Sequence, residues 1–132
     1  MTNFAGDVTR GLAEGRALAE SLMLDTCTVS PVTGVNESTG APTLGTAVYT
    51  GRCKVQASQA QEANPEAGGA TYTVQRYAVH VPVGAFVPVV GQVVTLTAVP
   101  LDPLLVGRVF RVVALLHKSL ATAYRLSVEE VV

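Results

Sequence analysis

Few residues in this chain are of a type that could do chemistry, and their spacing narrows the options further. The histidines are His80 and His117. Neither has a cysteine, a second histidine or a carboxylate at ligand spacing, so no metal site is expected. His80 alternates within a run of apolar residues, the pattern of a structural or surface histidine in a strand. Cys27 and Cys53 lack a local activating setting and read as buried free thiols rather than a disulfide. No Gly-x-Ser-x-Gly elbow is present, and the glycines fit neither a phosphate loop nor a dinucleotide fingerprint. Glu129 and Glu130 could form an acid–base pair, but adjacent carboxylates at a strand end are more simply solvated. Asn36-Glu37-Ser38 matches a glycosylation sequon, which carries weight only in a secreted chain. The expectation is therefore a protein with no catalytic residues, no metal and no cofactor, and not an enzyme.

The elements that would position these residues are one helix followed by strands. From Phe4 to Met23 the apolar residues Phe4, Val8, Leu12, Leu18, Leu22 and Met23 fall on one side at 100° per residue, with Asp7, Arg10, Glu14 and Glu20 toward the other. Thr2 or Asn3 can cap this helix. Gly11 and Gly15 weaken it but permit close approach of another backbone. Its apolar face, with Phe4, Val8, Leu12, Leu18 and Leu22, is a candidate subunit interface, packed either on its own domain or on a neighbour.

After Leu24 the period becomes two. Cys27 and Val29 share a face in the first strand, which Pro31 ends. Thr33-Gly34 and Thr39-Gly40 carry turn chemistry. The next strand is expected over Thr46–Gln56, with Tyr49, Cys53 and Val55 on one side and Arg52, Lys54 and Gln56 on the other. Tyr72–Val83 follows, where the phase inverts and a bulge near Gln75-Arg76 would reconcile the halves. Further strands are expected over Gln92–Val99, Gly107–Leu116 and Ala121–Val131. Phe110, Val112, Ala114 and Leu116 share a face in the fifth; Tyr124, Leu126 and Val128 point inward in the sixth. His117-Lys118-Ser119 reads as a tight turn between them. The fold class is mainly β: a small antiparallel barrel or sandwich of five or six strands behind one N-terminal helix. Residues 1–23 form the helix and 24–132 the β domain.

Between two strands lies QASQAQEANPEAGGA, Gln56 to Ala70. Connections in compact domains are usually about 4–6 residues, and one this long is functional or disordered. It contains Glu62 and Glu66, no Lys or Arg and no aromatic residue, so it is a poor phosphate binder and a poor catalytic lid. It could serve as an arm that orders against copies of itself. Charged residues make up only 14% of the 132, and the net charge is −1. So low a charge fraction suggests either exposed apolar surface or surface covered by other subunits, and no basic excess points to nucleic-acid binding. The uncharged run Tyr77–Leu101 is broken by Pro82, Gly84, Pro88, Gly91 and Pro100 and is not a membrane span. The first residues, with Asp7, Arg10, Glu14, Arg16 and Glu20, do not read as a signal peptide.

An ordered set of phrases then stands out: LDTCTV at Leu24–Val29, the two Thr-Gly turns, VYTGRCKVQ at Val48–Gln56, VHVPV at Val79–Val83, GQVV at Gly91–Val94, DPLLVGRVFRV at Asp102–Val112 and TAYRLSVEEV at Thr122–Val131. In this order they resemble the head-to-tail connector proteins of long-tailed phages, in particular the stopper or head-completion group of actinobacterial phages. Gln92 departs from the acidic residue expected after the Gly91 turn. The resemblance implies a virion protein at the head–tail neck, assembled in the bacterial host cytoplasm as a homo-oligomeric ring, twelvefold rather than sixfold. Its neighbours would be portal or adaptor proteins above and a tail terminator or tail tube below, with packaged double-stranded DNA in the channel, bound without sequence specificity. The long loop would be the channel gate, with Gln56, Gln59, Gln61, Glu62, Asn64, Pro65, Glu66, Gly68 and Gly69 as its residues. A hairpin of this length reaches on the order of 20 Å at ~3.3 Å per residue per arm. Alternatives are a tail terminator or other neck ring, or a stand-alone ligand-binding barrel, which would need a basic or aromatic face.

Overall fold

The computed structural model describes residues 4–57, 61–63, 72–74 and 76–131. Helix α1 (Phe4–Ser21) is followed by strands β1 (Asp25–Ser30), β2 (Val32–Val35), β3 (Pro42–Leu44), β4 (Tyr49–Ala57), β5 (Gln61–Ala63), β6 (Tyr72–Val74), β7 (Arg76–Val81), β8 (Val93–Ala98), β9 (Val109–Leu115) and β10 (Tyr124–Glu130). A 3-10 turn, Pro103–Leu105, bridges β8 and β9; the Asp102 carboxylate accepts the Leu104 N–H at its start. Six strands close into an antiparallel barrel in the order β1-β4-β7-β10-β9-β8, β8 returning to β1. The helix-then-strand reading and the small β-barrel expected from the sequence are both present. The capping residues Thr2 and Asn3 lie outside the described residues.

The period of two explains the core. A barrel this narrow is filled by its own side chains, and each strand sends alternate residues inward: Cys27 and Val29, Cys53, Val79 and Val81, Val94 and Leu96, Phe110 and Val112, Leu126 and Val128, all at most 1% exposed. Tyr49 closes the β4 side. It stacks on Phe86 with ring centroids 5.0 Å apart and folds back over Gly51, so that a Cβ there would meet its hydroxyl at 2.7 Å. That hydroxyl donates to the Arg52 carbonyl at 2.7 Å, and burial pushes its pKa up to about 12. The glycine is required by the ring that occupies its side-chain space.

Cys27 and Cys53 are both free and fully buried. Cys27 stands opposite Gly51 and Cys53 opposite Asp25, so the two thiols are diagonal neighbours on one face of the β1–β4 pair. A hydrogen bond to Cys27, and then burial, push the Cys53 thiol well above its ordinary range. The Cys53 thiol is therefore not a nucleophile at neutral pH, and Cys27 is shielded by its burial. In the folded protein a thiol reagent is expected to modify neither, and denaturation without reductant should release both. Reagent uptake by only the reduced, denatured protein would mean that a disulfide had formed.

Four details differ from the sequence reading. Tyr72–Val74 and Arg76–Val81 are not one bulged strand. β6 pairs with β5 in a separate two-stranded sheet, while β7 enters the barrel between β4 and β10. The inverted phase marks a change of sheet, and Gln75 lies outside the described residues. In β9 the expected inward set breaks after Val112. The register with β10 slips between Ser127 and Val128, leaving Val113 as the extra residue. This bulge turns Leu115 toward the core and leaves Leu116 exposed. Gly34 is not a turn residue but lies within β2, at a register slip in the β2–β3 hairpin. The turn there is built on Asn36, whose side-chain oxygen accepts the N–H groups of Ser38 and Thr39 at 2.9 and 3.3 Å, with Gly40 at φ +74°. Finally, β10 begins at Tyr124 rather than Ala121. Residues 121–123 instead form the seat of α1, and the turn before them centres on Ser119-Leu120, Leu120 having φ +56°.

Candidate functional site

Outside the barrel stand the β2–β3 hairpin, the β5–β6 arm and helix α1, with a cleft between α1 and the barrel wall. The arm is an insertion between two strands that are neighbours in the barrel. β4 and β7 pair directly from Lys54↔His80 to Ala57↔Tyr77, so the wall closes without it. Beyond that rung the chain forms β5 and β6, paired Gln61↔Val74 to Ala63↔Tyr72. Gln61 and Glu62 lie in β5, and Gln56 is the penultimate residue of β4. Gln59, Asn64, Pro65, Glu66, Gly68 and Gly69 lie outside the described residues. The arm leaves the barrel where Arg76 pairs with Glu129 near the end of β10; the seat of α1 is at the opposite end of that strand.

Helix α1 docks on its own barrel through a narrow strip. Gly15 is close enough to the Thr122 methyl that an added Cβ would sit at 3.1 Å. The Arg16 guanidinium donates to the Ala121 carbonyl at 3.0 Å, and Met23 is buried just beyond the helix. The small residue at position 15 permits this approach, whereas a Cβ at Gly11 would meet nothing within 4 Å. Of the residues in the apolar stripe, Val8 and Leu12 are half-buried, while Leu18 and Leu22 are 65% and 53% exposed. Leu22 continues into a cleft lined by Leu24, Val55, Val99, Leu101 and Leu105 together with Asp25, Lys54 and Asp102. Leu101 and Leu104 are each about 80% exposed. The chain thus carries much apolar side chain on its surface.

The cleft beside α1 was not legible as a site in the sequence. On the outer wall of the barrel, Lys54 in β4 stands directly opposite His80 in β7, and His80 directly opposite Arg125 in β10. They line a cleft beside α1 together with Gln56 and Thr122, and with Ala19, Leu22, Met23 and Ala123. Burial, then Arg125 and Lys54, lower the His80 pKa. A histidine held below its unfolded pKa is neutral at pH 7, and its contribution to stability is lost as pH falls from the unfolded value, about 6.5, through the lower folded one.

The other residues singled out by type are accounted for structurally. Glu129 pairs with Arg111, and Glu130 with Arg108 at 3.4 Å. His117 packs edge-on against the Tyr124 ring with centroids 5.9 Å apart. Burial raises the pKa of Asp25, partly offset by the Val55 backbone hydrogen bond. Among the described residues no group of three or more His, Cys, Asp or Glu is placed to hold a metal, and no helix is long and apolar enough to cross a membrane.

This architecture defines a class, a small closed antiparallel β-barrel with an N-terminal helix and a two-stranded insertion. Within it, the chain belongs to a family of unknown function, DUF6093, which it matches over residues 15–129. That span takes in the C-terminal part of α1 and all of the barrel strands but the last residue of β10. No curated protein and no solved structure matches the chain significantly.

Proposed function

We propose that the protein is a stopper of the head-to-tail connector of a long-tailed phage: a structural subunit of a ring, twelvefold rather than sixfold, that closes the DNA channel after packaging and joins head to tail. The observation that carries this reading is the β5–β6 arm, a separate two-stranded sheet inserted between adjacent barrel strands that pair without it. It is an appendage that can move or meet its copies while the barrel stays closed. The exposed leucines of α1 and of the Leu101–Leu104 segment supply apolar surface for neighbouring subunits, and heterologous contacts of this kind make rings when the rotation closes. The resemblance described above supplies the setting: portal or adaptor on one side, tail on the other, in a virion assembled in the host cytoplasm. The arm blocks the duplex sterically, and its carboxylates repel phosphate rather than grip it.

Deleting Ala60–Gly69 tests this directly. Shortening a surface loop changes closure entropy slowly, by about 0.6 kcal/mol per halving, so the barrel is expected to fold and the ring to assemble. Heads should fill with DNA and then fail to hold it before the tail joins. Full retention in tailless particles with normal rings rejects the gate. Normal retention with tails of abnormal length assigns the chain to a tail terminator instead.

A further inference from the structure

We propose that the cleft between α1 and the β4–β7–β10 wall is a binding site for a phosphate-class oxyanion, held by Lys54, His80 and Arg125. The three side chains form one row across three hydrogen-bonded strands, Lys54↔His80↔Arg125. Lys54 and Arg125 flank His80 from its two neighbouring strands, and both positive charges disfavour its imidazolium. An anion placed among them reverses the sign of that interaction.

The composition of the lining indicates the ligand. Its polar residues are Lys54, Gln56, His80, Thr122 and Arg125, each of which can donate a hydrogen bond, and none is a carboxylate. Of the nearby guanidiniums, that of Arg16 is engaged by the Ala121 carbonyl and that of Arg52 by the Glu20 carbonyl. No described residue forms an ion pair or hydrogen bond with the side chains of Lys54, His80 or Arg125. A lining that carries two positive charges, offers a donor from every polar residue and holds no carboxylate calls for an anionic ligand. Five donors exceed what a two-oxygen carboxylate can use and suit a tetrahedral oxyanion, whose two negative charges match one lysine and one arginine. The cleft, about 260 Å³, is smaller than the roughly 300–1,000 Å³ typical of pockets for drug-sized ligands. It suits a single phosphate group, free or as one unit of a nucleic-acid backbone. This chemistry holds wherever in a particle the chain sits.

His80 gives the site a pH signature. The charged groups facing it are Lys54 from β4 and Arg125 from β10; α1 contributes only Ala19 to the cleft, and the residues just after it Leu22 and Met23. An anion between them favours the imidazolium, so binding takes up a proton and tightens as pH falls.

The intact protein is titrated with sodium sulfate, which stays a dianion from pH 5 to 8, and with inorganic phosphate, against sodium chloride of equal ionic strength. Calorimetry follows binding and NMR follows the His80 ring. Saturable binding with an upward shift of the His80 pKa is expected. Lys54→Gln and Arg125→Gln should each weaken it about tenfold or more. His80→Gln should bind with little pH dependence, and all three variants should keep the wild-type circular dichroism spectrum. A thymidine oligonucleotide separates the sources: displacement of sulfate by it identifies a nucleic-acid backbone, whereas displacement by inorganic phosphate alone identifies a free phosphate. Binding no stronger than the chloride control, or unchanged in folded variants, overturns the site. So does a change in self-association in Lys54→Gln and Arg125→Gln while sulfate leaves His80 unmoved, which would assign the row to a carboxylate of a second copy.

Discussion

Phe110→Ala is expected to cost about 3–5 kcal/mol of folding stability, the range for a large aromatic removed from a packed interior. The ring is fully buried in β9 and packs against Tyr77 with centroids 5.1 Å apart, tilted by 59°. A barrel closed by hydrogen bonds on both sides of every strand has little freedom to collapse onto the space left behind. Domains of this kind have only about 5–15 kcal/mol in total, so the loss is a large fraction of the whole. Urea unfolding should show a lower midpoint with an unchanged slope. Val87→Ala, at a loop position 80% exposed, is the control and should move stability by less than about 0.5 kcal/mol. A loss below about 1 kcal/mol for Phe110→Ala would mean that the interior repacks readily, contrary to the closed geometry.

The second large effect is expected at Gln92, a buried polar side chain only 7% exposed. Its side-chain oxygen accepts the Val89 N–H at 2.9 Å, closing the turn into β8. Its carbonyl accepts the Val112 N–H at 2.9 Å, and Gly91, at φ +99°, donates to the Val112 carbonyl. Gln92→Leu keeps the size of the side chain but strands the Val89 N–H, at a cost of about 1–3 kcal/mol. Gln92→Glu keeps the acceptor and should fall between leucine and wild type in the same unfolding experiment. This gives physical content to the position where an acidic residue was expected: the turn needs an acceptor there, and glutamine provides one without burying a charge. Equal stability of the leucine variant and wild type would remove this role.

How far the sequence could be read depended on what each residue reports. Cys27, Val29, Val79, Val81, Leu126 and Val128 alternate with polar neighbours because one face of each strand is buried, so strands and core were legible together. Phase alone does not identify a partner. The inversion between Val74 and Tyr77 fits a bulge within one strand equally well as two strands in different sheets, and only pairing distinguishes them. The slip at Val113 was hidden because Ala114 and Leu116 continue the apolar pattern on the wrong face. On α1 the 100° periodicity found a broad apolar side, but the seat formed by Ala121–Ala123 accepts only a strip where the backbone comes close. Gly15 therefore lies at the contact and Leu18 outside it. Lys54, His80 and Arg125 belong to segments far apart in sequence. Lys54 and Arg125 could each be read as outward-facing, but their alignment in one row depends on long-range register. The residues given to the gate were legible as an insertion by length and composition, and β5 and β6 give part of it strand structure; Gln59, Asn64, Pro65, Glu66, Gly68 and Gly69 lie outside the described residues.

Closure of the barrel also decides how this chain can meet other chains. In a closed ring of strands every wall strand is hydrogen-bonded on both sides, so the wall offers no backbone groups to a strand from another molecule. Among the described residues, free strand edges remain only on the two small hairpins, β2–β3 and β5–β6. Among the described residues, main-chain templating between copies, whether productive strand addition or aggregation, is therefore confined to these two appendages. Any contact made by the wall itself must be read through side chains.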